Sequence, residues 1–193
     1  IVSRIFNKNK KLTNHIDKFI TFTNFKRSKF IRSGLSKAKI EIKPNFLINK
    51  VKKNKSFSQK EDAIYASRIS QEKGIITMLH AWDDIDLKLK IYGDGPLFDS
   101  CKKNQNQNIK FYGNKKREFV NKKISDSKML IFPSEWYECM PMTILEAFNE
   151  GTIVIASNIG SISNIITNFH NGILFEPGNP NDWNKKVKSA LKT

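Results

Sequence analysis

A chain of 193 residues is long enough for one full domain with its own core and part of another. Hydrophobic residues at 39% and aromatics at 11% exclude a disordered chain, and no apolar run approaches the roughly 18–20 residues that span a bilayer. The formal charge of +16 is unevenly placed: residues 1–60 carry 17 Lys and Arg against Asp17 and Glu41, whereas residues 61–193 hold 17 basic and 16 acidic residues. A domain boundary is therefore expected near residue 60, with 1–60 the end of a preceding domain plus a basic linker, and 61–193 a second unit. The chain begins at Ile1 rather than Met, so an upstream segment or a longer parent is expected. Cys101 and Cys139 are far apart with no C-x-x-C, which signals neither a disulfide framework nor a zinc site. A reducing cytoplasm is the default compartment.

In chain order, residues 15–47 predict a short strand, a basic helix to about Ser33 and a second short strand ending at Pro44. "VKKNKSFSQK" (51–60) reads as a solvated linker. From Glu61 the pattern changes to short β-branched runs alternating with amphipathic stretches. Strands are expected at 63–67, 87–93, 109–113, 128–134, 152–157 and 172–175. Helices are expected at 72–82, 96–104, 115–125, 142–150, 160–167 and 180–191, with Pro96 suited to a first helical turn. Strands separated by helix-length crossovers argue for a Rossmann-like, doubly wound α/β domain with a parallel sheet, whose ligands bind at the carboxyl ends of the strands.

Two acids in "WYECMPMTILEAFNEG" need an account, because core packing does not ask for them. Pro141 favours a helix starting there, which leaves Glu138 in the loop after a strand and Glu146 about one and a half turns inside the helix. The amides of Cys139 and Met140 would sit at the helix N-terminus, suited to an anion, while the acids accept hydroxyls on either side of it. A ligand with hydroxyls at both ends of an anionic centre, such as a nucleotide sugar, meets that description. The spacing is equally met by Glu138 as a helix-dipole partner and Glu146 as a solvated acid. Arg68 and Lys73, in the loop after the first of these strands, could neutralise a diphosphate. "GDGPLF" does not complete G-x-G-x-x-G, so Gly93, Asp94 and Gly95 are read as turn and cap chemistry. No His, Asp and Glu cluster suggests a metal, His80 reads as packed or exposed, and Cys139 has no His near it in sequence to activate it.

The ordered series of Arg68 to Lys73-Gly74, "GDGP", "IKFYG", "FPSEWYECMPMTILEAFNEG", "VIAS" and "NGILFEPGNP" resembles the group-1 family of retaining GT-B glycosyltransferases. The resemblance covers roughly 62–190, the family's carboxyl-terminal donor-binding domain, and the segment before it resembles the end of the amino-terminal domain. It implies hexose transfer from a nucleoside-diphosphate sugar to a saccharide or lipid-linked acceptor, with retention and with neither metal nor cofactor. Cell-surface polysaccharide or glycolipid synthesis is the implied setting, in the cytoplasm or peripherally at the inner membrane face. By the same resemblance Arg68 and Lys73 hold the diphosphate, Glu138 contacts the donor sugar and Glu146 the ribose. Cys139, Met140 and Pro141 border sugar or phosphate oxygens, and Tyr112 and Gly113 lie near the base. Donor binding with poor turnover is expected of these 193 residues by themselves. Two other readings use the basic segment: an anionic membrane surface, or single-stranded nucleic acid through Phe19, Phe22, Phe25 and Phe30 among the cations, with nucleic acid the disfavoured partner. A catalytically degenerate relative of the family is the remaining alternative.

Overall fold

The computed structural model describes residues 13, 15–48, 55–103 and 106–192. Strand β1 (Phe19–Thr21), helix α1 (Asn24–Arg32) and strand β2 (Ile40–Ile42) come first, and β1 pairs with β2 in parallel as a separate two-stranded sheet. Six strands then form one wholly parallel sheet: β3 (Glu61–Ala66), β4 (Leu89–Tyr92), β5 (Ile109–Gly113), β6 (Ser127–Phe132), β7 (Ile153–Ser157) and β8 (Ile173–Phe175). The crossovers carry α2 (Ile75–Ala81), α3 (Phe98–Lys103), α4 (Arg117–Asp126), α5 (Met142–Asn149) and α6 (Ile162–Ile165), and α7 (Pro180–Ala190) follows β8.

Strand order across the sheet is β5-β4-β3-β6-β7-β8. The order reverses between β3 and β6, and in such sheets the crevice beyond the carboxyl ends of the strands at the reversal is where ligands bind. The period-2 alternation of side chains explains why these strands read as unbroken apolar runs. Tyr65, Met129, Ile131 and Ile155 point to one face and pack with Met78, Trp82, Trp183 and Val187, whereas Ile64, Leu130, Phe132 and Val154 point to the other and pack with Ile124, Ile144 and Ile162. Both faces are covered, so both parities are apolar.

The expected elements all appear, and the two helices shortened most are cut back for visible reasons. The helix expected from 72 begins at Ile75, because Gln71–Lys73 form a 3-10 turn and Gly74 adopts φ 69° between them. The helix expected over 160–167 is reduced to Ile162–Ile165, because Asn171 Oδ1 accepts the Thr167 N–H at 2.7 Å and draws the chain into a turn. The solvated-linker reading needs a correction at its carboxyl end; residues 51–54 lie outside the described residues. Phe57–Gln59 form a 3-10 turn with a capping box from Ser56 and Gln59, and Lys60 is buried. Its ammonium donates to the carbonyls of Glu150 (2.8 Å) and Gly151 (3.0 Å) and to Thr152 Oγ1 (2.9 Å), closing the carboxyl end of α5. A cation is favoured there by the helix dipole, although burial lowers the Lys60 pKa from its ordinary value. Lys60→Met is expected to destabilise the fold by about 2–4 kcal/mol, because three acceptors lose their donor. Urea unfolding should show an earlier midpoint at unchanged slope.

Candidate functional site

The loops beyond β3 and β6 meet at the strand-order reversal. Two cavities open there, of about 420 Å³ and 690 Å³, and Arg68 lies on the wall of both. The backbone under Arg68 is held from below: Tyr65, buried in the sheet, donates its hydroxyl to the Arg68 carbonyl at 2.7 Å. Burial raises the Tyr65 phenol above its usual range, which keeps it a donor. From the side, the "GDG" turn closes on the same loop. Ile69 N–H donates to the Asp94 carbonyl at 3.0 Å, Asp94 Oδ1 accepts the Gly95 amide at 2.7 Å, and a Cβ on Gly93 would come within 1.9 Å of the Ser67 carbonyl oxygen. The expected turn chemistry thus serves as a brace for Arg68, whose guanidinium is exposed and makes no hydrogen bond among the described residues.

The larger cavity is also lined by Lys73, Glu138, Cys139, Met140 and Pro141. Glu138 stands in the loop before α5, as the position of Pro141 predicts, and the Lys73 ammonium donates to its Oε1 at 2.5 Å. The Ser134 hydroxyl donates to the same oxygen at 2.8 Å. Among the described residues the backbone amides of Cys139 and Met140 have no protein acceptor. The site also contains the positive end of α5, whose N-cap position is occupied by Pro141 without a side-chain cap.

The smaller cavity holds the other acid. Glu146 is buried on α5, and its Oε1 accepts from both Nε (2.7 Å) and Nη2 of Arg117, an exposed residue at the first position of α4. Oε2 has no partner among the described residues. On the same wall, the buried Oδ1 of Asn121 also has none. Arg117 and Ser134 were missed in the sequence. A cation opening a helix runs against the helix dipole and so signals a role beyond the helix, but "NKKRE" hid it in a run of Lys.

Tyr112 and Gly113 line neither cavity. Tyr112 stacks on Tyr92 at 5.0 Å, and Tyr92 does line the smaller one, while the Gly113 carbonyl accepts the Gly93 amide at 3.0 Å. His80 is exposed on α2 and away from both cavities. Cys139 is a free, exposed thiol and Cys101 a buried one whose pKa is raised by burial. Among the described residues no group of three or more His, Cys, Asp and Glu comes together, and no helix is long and apolar enough to cross a membrane.

Comparison with known proteins points the same way as the geometry. An uncharacterized glycosyltransferase of Methanocaldococcus jannaschii is 28% identical over 132 residues, covering 66% of this chain and 37% of its own length. HepE of Anabaena, solved with UDP-glucose, has the same fold at 19% identity (TM-score 0.77, covering all of this chain and 59% of that one). TarM of S. aureus, solved with fondaparinux, alpha-GlcNAc-glycerol and UDP, is 25% identical (TM-score 0.78, covering 96% of this chain and 40% of that one). The chain thus spans well under two thirds of each of these proteins. The family model for "Glycosyl transferases group 1" matches residues 48–193, well over half of the sequence. On that match, and on the parallel sheet with paired cavities at its reversal, the chain belongs to the group 1 glycosyl transferases.

Proposed function

We propose that this chain is the donor-binding half of a retaining glycosyltransferase that moves a hexose from a nucleoside-diphosphate sugar to a saccharide or lipid-linked acceptor, without a metal. Cell-surface polysaccharide or glycolipid synthesis is the setting that fits. The observation that carries the reading is the placement of Arg68 on both cavities, with an acid on the α5 side of each: Glu146 on the wall of the smaller and Glu138 on that of the larger. A diphosphate at Arg68 puts a ribose within the smaller cavity and a hexose within the larger. Glu146 Oε2 and Asn121 Oδ1 then accept ribose hydroxyls, and Glu138 accepts those of the hexose.

The chemistry asked of these residues is departure of the nucleoside diphosphate from an oxocarbenium-like centre. Charge builds on the phosphate oxygens, where Arg68, Lys73 and the free amides before α5 oppose it. An ammonium has three donors, so Lys73 can keep Glu138 and still reach a phosphate oxygen. The relative's name supports glycosyl transfer, and the UDP and UDP-glucose held by TarM and HepE support a nucleotide-sugar donor. A bilayer with anionic lipid is a compatible further partner for α1, which carries Lys26, Arg27, Lys29 and Arg32 and no acid.

Calorimetric titration with UDP-, GDP- and ADP-sugars, beside Glu146→Ala, tests the reading. One donor is expected to bind, and the substitution to weaken it about tenfold, the worth of a lost hydroxyl–carboxylate bond. A folded chain that binds none of the three would overturn it.

A further inference from the structure

The loop that carries Glu138 is tethered from outside its own domain. Asn45, three residues beyond β2, donates its side-chain amide to the Met140 carbonyl at 3.0 Å, and its backbone N–H meets Met140 Sδ at 3.1 Å. At the other end of the loop, the Phe25 ring of α1 packs on Tyr137 at 4.9 Å, and the Lys29 ammonium lies over both rings at 5.4 and 5.0 Å. The start of α1 is itself anchored. Thr23 Oγ1 and Ser161 Oγ are 2.8 Å apart and buried, and the Phe25 N–H donates to Asn164 Oδ1 at 2.9 Å. There is no slack at this junction: a Cβ on Gly160 would stand 2.8 Å from Tyr137 Cδ1 and 3.3 Å from Phe25 Cε1.

Glu138 lies between the two tethers, one residue from Tyr137 and two from Met140. Pro141 has a restricted φ and no N–H, so the path from Met140 into α5 is governed largely by the ψ of Met140. The Asn45 bond to the Met140 carbonyl restrains that angle. We infer that Asn45 and Phe25 are positioning residues for Glu138, holding the 137–140 loop so that the carboxylate faces the larger cavity. The inference rests on the donor reading for what Glu138 contacts, and on the contacts alone for what holds the loop. Its consequence is selective. Glu146 and Arg117 lie in the smaller cavity, beyond these tethers, so losing Asn45 should disturb recognition of the sugar more than that of the nucleotide, whose phosphates also meet the amides of Cys139 and Met140.

The test has a ligand-free arm and a ligand arm. Trp136 is exposed in the tethered loop, while Trp82 and Trp183 are fully buried, so the 5-fluorotryptophan spectrum of the chain separates loop from core. Asn45→Asp, which removes the donor at nearly constant shape, and Phe25→Ala are expected to shift or broaden the Trp136 line and leave the other two unchanged. A Trp136 line that stays as in the parent chain in both variants would overturn the inference. In the ligand arm, UDP-, GDP- or ADP-glucose is titrated beside the matching free diphosphate. Asn45→Asp should weaken the nucleotide sugar about tenfold and the diphosphate by a smaller factor, about two- to threefold, the tenfold loss being that of one positioned hydrogen bond. Equal weakening of both, or of neither, would overturn the role assigned to Asn45. Should the parent chain bind no nucleotide sugar, the donor reading fails, and the Trp136 line still decides whether Asn45 and Phe25 hold the loop.

Discussion

Arg68→Ala is expected to weaken binding of a free nucleoside diphosphate by about 10–100-fold, with little change in stability. A charge-assisted hydrogen bond from a guanidinium to phosphate is worth about 1.5–3 kcal/mol, and each 1.4 kcal/mol is a factor of ten. Among the cations of the site, Lys73 is held by Glu138 and Arg117 by Glu146, whereas Arg68 and Lys115 form no ion pair among the described residues, and of these two only Arg68 borders both cavities. It is therefore free to meet an incoming anion. Because the side chain is exposed and the bond from Tyr65 goes to the backbone carbonyl, removing the guanidinium leaves that support in place. Arg68→Lys should recover part of the affinity, since an ammonium supplies the charge without the planar fork. Calorimetric titration of the diphosphate against the three proteins, with a thermal melt of each, checks the result. Unchanged affinity in a folded Arg68→Ala protein would remove Arg68 from the site and with it the link between the two cavities.

The second large effect falls on stability. Gly74→Ala is expected to destabilise the domain by about 3–5 kcal/mol, because two penalties coincide. Gly74 holds φ 69°, a left-handed conformation that L side chains rarely adopt, and an added Cβ would stand 1.9 Å from the Pro133 carbonyl oxygen. That oxygen is backbone, just past the end of β6, and cannot swing aside as a side-chain tip would. Relief requires the β3 and β6 loops to part, and these are the two loops that bring Lys73 to Glu138. For a domain of this size about 1 kcal/mol corresponds to roughly 2–4 °C, so a fall in Tm of about 6–20 °C should be seen. Donor affinity measured well below the new Tm should fall as well. A melt within about 2 °C of the parent would mean that the close approach of Gly74 to Pro133 is relaxed at little cost.

Much of the architecture could be read from the chain because its signals are local. The β-branched runs and the Pro and Gly residues around them marked every strand of the six-stranded sheet to within about two residues. Pro141 was enough to put Glu138 in a loop and Glu146 on a helix. The errors came where a distant atom supplied the reason. Lys60, one of many Lys in a polar stretch, is buried because the carbonyls at the end of α5, some 90 residues later, lie against it. Nothing within residues 51–60 marks that contact.

The site divides in the same way. The positions of Arg68, Lys73, Glu138 and Glu146 were legible because the first three lie in strand-to-helix loops and Glu146 on the helix that Pro141 opens, positions set by nearest neighbours. Their pairing was not. The Lys73–Glu138 contact joins residues 65 positions apart, Arg117–Glu146 joins residues 29 apart, and Asn45–Met140 spans 95. Such contacts depend on the order in which the strands lie, and that order is decided by how both apolar faces of the sheet are covered. By itself the sequence determined the element types, the family and where the candidate site residues stand on loops and helices, because backbone preference and side-chain chemistry act locally. Only the tertiary structure decided which acid faces which cation, that Arg68 stands between two cavities and that α1 and Asn45 hold the Glu138 loop, because those contacts exist only once β3 and β6 lie side by side.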